Sequence, residues 1–511
     1  MVQAAYAFVV FLSSACGLVI EIVAGRLIAP YVGMSLYTWT AIIAVVLAGF
    51  SVGHWIGGVL AGPGVDAREG GKRVAWALAL AAVSSLASLV LLRLVSGALL
   101  GGGLSPISAI VLLTGALFFL PSLFVGIVSP ILTKIAVDTG GHGPGRIIGR
   151  MYAVGALGSI AGTLAAGYLF ISWIGSSGTV ITVAAVYAAL ALAFAFRLRM
   201  GWGLVVAMTI AGGGFLWWGQ RVAAFQSPCQ VESDYFCIRV EDYSQDDERP
   251  VRIMVLDHLV HSINDRNDPG LLHSPYIHFV DEAAAIRFGP RSPVTAFFIG
   301  GGGYSLPRAW AATRPGSDLV VAEIDPSVTA AAKDKMWFDA AAAGLTVLHQ
   351  DARVALQGLK PGPRFDVVFG DAFRDITVPT HLVTREFHRE IKARLKADGF
   401  YVVNVVDLGG DPRFLTSLVK TLGLDFAAVE VWQTVDEIDQ SGRVTFVVIA
   451  SARPTPVSRI EARRGLWRVW ERWPKAALGR RLAPADVPVL TDDFAPVDRL
   501  MSKLLLAPKQ P

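Results

Sequence analysis

The residue types that could bind and transform a ligand gather in the second half of the chain. Four glycines, Gly300 to Gly303, stand directly behind an apolar, β-branched and aromatic segment, Val294 to Ile299. A glycine run in that place lets the backbone approach a ligand closely at the carboxyl end of a strand. Glu323 closes the next apolar segment, 23 residues after Gly300. An acid there accepts hydrogen bonds from two ribose hydroxyls. Asp351 closes a third such segment and Asp371 a fourth. Each acid alone also reads as the N-cap of a helix that follows a strand. Three of them at successive strand ends, beside a glycine loop, read as the ligand edge of an open α/β sheet.

The elements that must position these residues are the strands Val294–Ile299, Asp318–Asp325, Leu345–Asp351, Phe365–Phe373 and Gly399–Val405, with a helix over Leu306–Thr313. Strand, glycine loop, helix, strand is the opening of a doubly wound sheet. Residues 291–511 are therefore expected to form a Rossmann-like α/β domain, and residues 221–290 a small β-rich region ahead of it.

The first 220 residues have a different character. They hold 10 basic and 4 acidic side chains, against 35 and 37 in the remaining 291. Over the whole chain only 17% of residues are charged and 53% are hydrophobic, with a mean hydropathy of +0.51. That composition excludes a purely soluble, disordered or collagen-like protein. The net charge of +4, without any Lys/Arg-rich run, excludes nucleic acid as a partner. Seven apolar segments lie at 4–27, 38–61, 74–95, 106–137, 149–173, 177–197 and 201–219. Most reach the roughly 20 residues that a helix needs to cross a bilayer. The fourth carries Pro121 and Pro130 and is expected to be kinked or broken. Glu21 and His54 lie inside apolar segments; pairing of Glu21 with Arg26 near a helix end is preferred to a proton or cation site.

The loops after the second, fourth and sixth segments carry Arg68, Lys72, Arg73, Arg146, Arg197 and Arg199, which places them in the cytoplasm. Seven crossings would then put residues 221–511 outside, and six or eight would put them inside. Cys229 and Cys237 stand close enough in sequence to form a disulfide, which would favour an oxidising compartment, or to be two small buried thiols. No zinc spacing is present, and His258, His261, His273 and His278 read as surface and pocket-rim histidines, so no metal is expected. The Trp- and Arg-rich segment Arg459–Arg481 reads as an amphipathic helix, either at the membrane surface or packed on the protein.

Residues 228–450 resemble the spermidine synthases, or polyamine aminopropyltransferases, and the whole chain resembles their membrane-fused bacterial version. Leu256-Asp257-His258-Leu259-Val260-His261 stands where that family has Leu-Asp-Gly-x-x-Gln, and His273-Ser274-Pro275-Tyr276 in the region of its Tyr-His-Glu. Ile299 to Gly303 matches the glycine loop, Glu323-Ile324-Asp325 the Glu-Ile-Asp, Asp351-Ala352 the Asp-Gly, and Gly370-Asp371-Ala372 the segment with the proton acceptor. Val383 to His388 resembles the Leu-Phe-Thr-x-Glu-Phe-Tyr motif, and Thr491 to Asp498 a tail motif of the membrane-bound members.

The resemblance implies a methyltransferase-type Rossmann domain and an aminopropyl transfer from decarboxylated S-adenosylmethionine to an amine such as putrescine, releasing methylthioadenosine. Asp371 would be the proton acceptor. Gly300, Gly301, Gly302, Glu323, Asp351 and His261 would hold the nucleoside, with Glu323 on the ribose and Asp351 on the adenine amino group. His273, Tyr304 and Asp375 would lie on the amine side. Gly303 and Tyr304 stand where the family carries an aspartate that helps to hold the cationic aminopropyl end, so the cofactor half is the better matched. Two other classes remain open: an adenosyl-binding methyltransferase-like enzyme with another acceptor, and a sensing or transport protein with a degenerate catalytic domain. The resemblance also implies a multi-pass protein of the bacterial inner membrane and a homodimer. A cofactor made in the cytoplasm favours a cytoplasmic soluble domain.

Overall fold

The computed structural model describes residues 2–140, 143–342, 344–373, 377–438, 440–482 and 487–506. The chain divides into two compact units, the first ending at Glu232 and the second beginning at Ser233.

The first unit is helical: α1 (Val2–Val32), α2 (Leu36–Leu60), α3 (Ala67–Gly101), α4 (Pro106–Thr139), α5 (Pro144–Ala165), α6 (Ile171–Arg197) and α7 (Gly203–Arg221). Five helical stretches are long and apolar enough to cross a membrane. The last of these, Pro144–Arg197, joins α5 and α6 through a π-turn at Ala166–Phe170 and is 54 residues long. At 1.5 Å per residue that is about 80 Å, more than twice a hydrocarbon thickness of about 30 Å. It breaks at Gly175, whose φ of 68° and ψ of 174° are not helical. Helix α4 runs unbroken through Pro121 and Pro130, contrary to the expected interruption. His54 turns outward, its Nδ1 donating to the carbonyl of Phe50 at 2.6 Å.

Helices α2 and α4 meet through glycine. A Cβ on Gly53 would lie 2.2 Å from the carbonyl oxygen of Leu123, and one on Gly57 would lie 2.7 Å from that of Ile127. Backbone in that contact leaves no room for a side chain, which is how helices pack in lipid without a hydrophobic driving force between them. Gly58 faces open space. Gly53→Val should therefore lower the apparent Tm of the detergent-solubilised protein sharply, whereas Gly58→Val should leave it within a degree or two; equal melting of the two variants would contradict the packing.

Strand β1 (Val231–Glu232) closes the first unit, and the second opens with the antiparallel strands β2 (Cys237–Asp242), β3 (Val251–Leu256) and β4 (Leu259–Asp265). Helix α8 (Pro275–Phe288) follows. The large sheet then alternates with helices: β5 (Thr295–Ile299), α9 (Ser305–Thr313), β6 (Asp318–Ala322), α10 (Pro326–Lys335), β7 (Leu345–Leu348), α11 (Ala352–Gly358), β8 (Phe365–Gly370), α12 (Arg385–Arg394), β9 (Leu395–Leu408), α13 (Arg413–Leu422), β10 (Ala428–Thr434), β11 (Arg443–Ser451), β12 (Arg459–Glu461) and β13 (Val469–Arg472). The strand order is β12-β13-β10-β11-β9-β8-β5-β6-β7. Strands β5 to β9 run parallel, and β11 returns antiparallel between β9 and β10. Counted from β5 the core order is 3-2-1-4-5-7-6, the methyltransferase-type variant of the doubly wound sheet, so the expected fold class is the one observed.

Alternate residues of each central strand feed opposite layers. Phe297, Val320, Val368 and Val403 enter one core; Phe298, Val321, Phe369 and Val402 enter the other. A sheet covered on both faces explains why these strands read as continuous apolar runs.

The segment Arg459–Arg481 is not one amphipathic helix. It forms the β12–β13 hairpin at the sheet edge and then a short helix, Lys475–Leu482. Trp470 is fully buried against Phe279. Arg463 pairs with Glu282, and Arg464 lies 3.3 Å from Asp281, so this segment's arginines neutralise two buried carboxylates on α8.

Candidate functional site

The site forms at the topological switch point, where β5 neighbours both β6 and β8 and the chain leaves the two outer strands in opposite directions. Behind β5 the chain turns through Gly300 at a φ of 96°. A Cβ there would stand 3.0 Å from the carbonyl oxygen of Asp371, so glycine is required both by conformation and by the neighbouring strand end. The Gly300 N–H donates to Ala322 O and the Asp371 N–H to Ile299 O, which ties the ends of three strands together.

Glu323 is buried, and its carboxylate organises the loop. One oxygen accepts from the N–H groups of Gly301 (2.8 Å) and Gly302 (3.3 Å), and the other from that of Asp325 (2.9 Å). Burial raises its pKa, and these N–H donors pull it back. The far side of the loop is held from β4. Ser262 Oγ accepts from the Gly303 N–H at 2.7 Å, and Asn264 Nδ2 donates to the Gly303 and Met336 carbonyls at 2.8 and 3.1 Å.

Asp371 is half-buried at the end of β8. Asn404 Nδ2, from β9, donates to it at 2.8 Å, and the Tyr276 hydroxyl, from α8, bonds to it as well. Burial pushes its carboxyl up to about 7, against the pull of those two donors. Such a carboxyl is poised to accept a proton near neutral pH. The Tyr276 hydroxyl is in turn driven well above its ordinary range by burial and by Asp371.

Asp351 caps α11. One oxygen accepts from the N–H groups of Arg353 (2.9 Å) and Val354 (3.2 Å), and the other meets His381 Nε2 at 2.7 Å. His261 lies in β4 next to Ser262, half-buried, with burial lowering its imidazole to about 4, so it is neutral. His273 precedes α8. Its Nε2 is buried without a hydrogen-bond partner, and desolvation lowers its pKa against the pull of Asp265. Tyr304 is fully buried, stacked at 3.9 Å on Phe338 with its hydroxyl 2.6 Å from Thr329. Its ring lies against Gly301 and supports the glycine loop. Asp375 lies outside the described residues. Among the described residues no group of three His, Cys, Asp or Glu side chains converges on a metal position.

Ser262, Asn264, Asn404 and His381 were not foreseen. Asn404 had a legible signal: a lone amide inside an otherwise apolar strand run. The others depend on pairing between distant segments.

A doubly wound sheet with acids at these strand ends is the frame of a ligand site at the switch point. No family model matches the chain. Over 136 residues, 26% of its length, it is 37% identical to a polyamine aminopropyltransferase from Vibrio vulnificus, and it spans 44% of that relative. Among solved structures it is similar to a probable spermidine synthase from Corynebacterium glutamicum, with 18% identity and a TM-score of 0.46, over 53% of this chain and 99% of the other. A Thermotoga maritima spermidine synthase aligns with 13% identity and a TM-score of 0.31, over 55% and 86%.

Removing the Glu323 carboxylate strands three backbone donors. Glu323→Ala should lower stability by about 1–3 kcal/mol for buried donors left unsatisfied, read as a fall in Tm. An unchanged Tm would exclude Glu323 as the organiser of the loop.

Proposed function

We propose that the second unit is an aminopropyltransferase of the spermidine synthase type. Decarboxylated S-adenosylmethionine binds with its nucleoside along the glycine loop, Glu323, Asp351 and His261. A primary amine of a small polyamine enters beside Asp371. The amine nitrogen attacks the aminopropyl carbon next to the sulfonium, the C–S bond breaks with its electrons to sulfur, and methylthioadenosine leaves. The attacking amine must be uncharged, and an amine with a pKa near 10 is mostly protonated at neutral pH. Asp371 takes that proton. The observation that carries this reading is the half-buried Asp371 carboxyl, raised to about 7 between Asn404 and Tyr276 at the switch point. The absence of an acid at Gly303 leaves the acceptor's cationic end to other residues of the amine side, where His273 stands.

Asp371→Asn should cut turnover by about 10² or more while methylthioadenosine affinity is nearly kept. In the native protein kcat/KM should rise with pH through about 7, as Asp371 loses its proton. The stability linkage has the opposite slope. A carboxyl raised from 3.8 to about 7 on folding costs stability between those two values as pH rises. Asp371→Asn should therefore melt higher than the native chain at pH 8, with the gap closing towards pH 4. Normal turnover in the variant would reduce Asp371 to a structural acid.

In this proposal the first unit spans the bacterial inner membrane several times and the catalytic unit faces the cytoplasm, where the adenosyl substrate is made. The opposing observation is that Cys229 and Cys237 are disulfide-bonded, a state favoured outside the cytoplasm. A cytoplasmic unit requires both thiols to react with maleimide in freshly opened cells without reductant and a phosphatase fused after Pro511 to be inactive. An active phosphatase with unreactive cysteines would move the unit outside and the function towards sensing or transport.

A further inference from the structure

We infer that His381 is a gate on the purine end of the site: its imidazole occupies the Asp351 carboxylate when no nucleoside is bound and yields it to the exocyclic amino group of the base. The inference rests on the reading of Asp351 as the adenine acceptor.

Asp351 Oδ1 is fully used by the N–H groups of Arg353 and Val354. The acceptor left for a ligand is Oδ2, and His381 Nε2 stands on it at 2.7 Å. The two partners differ in freedom. The Asp351 side chain is three-quarters buried, and its oxygen is fixed by the helix it caps. The His381 side chain is half exposed, on the short turn Thr380–Leu382, and rotates without disturbing a core. The backbone beneath it does not move with it. Arg353 Nη1 donates to the His381 carbonyl at 3.4 Å, and the same guanidinium is clamped by Asp492 through two bonds of 2.8 Å and by Glu390 at 3.1 Å. The Asp492 N–H in turn donates to Glu386 at 3.0 Å. Through Asp492 the tail segment Thr491–Asp498 thus steadies the backbone on which the imidazole turns.

The charged groups around this gate are Asp351, Arg353, Asp492, Glu390 and Glu386, contributed by α11, α12 and the tail. The imidazole donates a hydrogen bond to Asp351 Oδ2. Nucleoside binding must break that contact or share it, so His381 competes with the exocyclic amino group of a 6-amino purine. The size of the effect is that of one exposed hydrogen bond, up to about fivefold in Kd.

The experiment is calorimetry of methylthioadenosine on the full chain in detergent at neutral pH. His381→Ala should bind more tightly than the native chain, by up to about fivefold; His381→Asn, which keeps a shorter donor, should fall between the two. Methylthioinosine, with a carbonyl in place of the amino group, should bind weakly to all three, and its affinity should not improve in His381→Ala. An unchanged methylthioadenosine affinity on removal of the imidazole overturns the gate, and Asp351→Asn separates the two causes. If that variant loses methylthioadenosine binding, the adenine assignment stands and only the gate has failed. If it binds normally, the reading of Asp351 has failed and the gate with it.

Discussion

A single buried carboxylate holds the candidate site together. Glu323 accepts from Gly301, Gly302 and Asp325 at once, joining the loop behind β5 to the turn behind β6. Buried main-chain N–H groups need partners, and a four-glycine loop supplies no side chains to provide them. An acid from the next strand is the nearest source. Those donors favour its ionised form against burial, which still raises its pKa. Everything else at the strand ends is arranged around that fixed loop: Asp371 bonds its N–H to β5, Ser262 and Asn264 brace the loop from β4, and Tyr304 fills the space below.

The same strand ends produce two carboxylates with different electrostatics. Glu323 accepts from three backbone N–H groups, which oppose the rise that burial causes. Among the described residues Asp371 has an amide and a phenol as side-chain partners and is raised to about 7. The donors that each strand end offers set the difference.

Much of this was legible before the coordinates. Strands β5 to β8 lie within the apolar runs read from the sequence, and β9 extends beyond the fifth at both ends, because a sheet covered on both faces needs long apolar stretches. The three acids stood out because they end those runs. What stayed hidden depends on distance in sequence. Nothing around His381 announces that it will meet Asp351, and Tyr304 looks like a loop-tip residue until a φ of 57° turns its ring under the glycines. The Arg459–Arg481 segment misled because alternating tryptophan and arginine suits an interfacial helix as well as an edge hairpin, and only the buried acids of α8 decide between them. In the first unit, the break at Gly175 falls between two apolar segments that the composition had already separated.

The clamp between Arg353 and Asp492 has a consequence for biosynthesis. The partners are 139 residues apart in the chain. At a translation rate of about 5–20 residues per second, α11 emerges from the ribosome roughly 7 to 28 seconds before its fastener. During that interval the sheet that carries the acids can assemble, but the turn bearing His381 lacks its final anchor. A nascent or truncated polypeptide therefore differs from the finished one first at this strand end, beside Asp351.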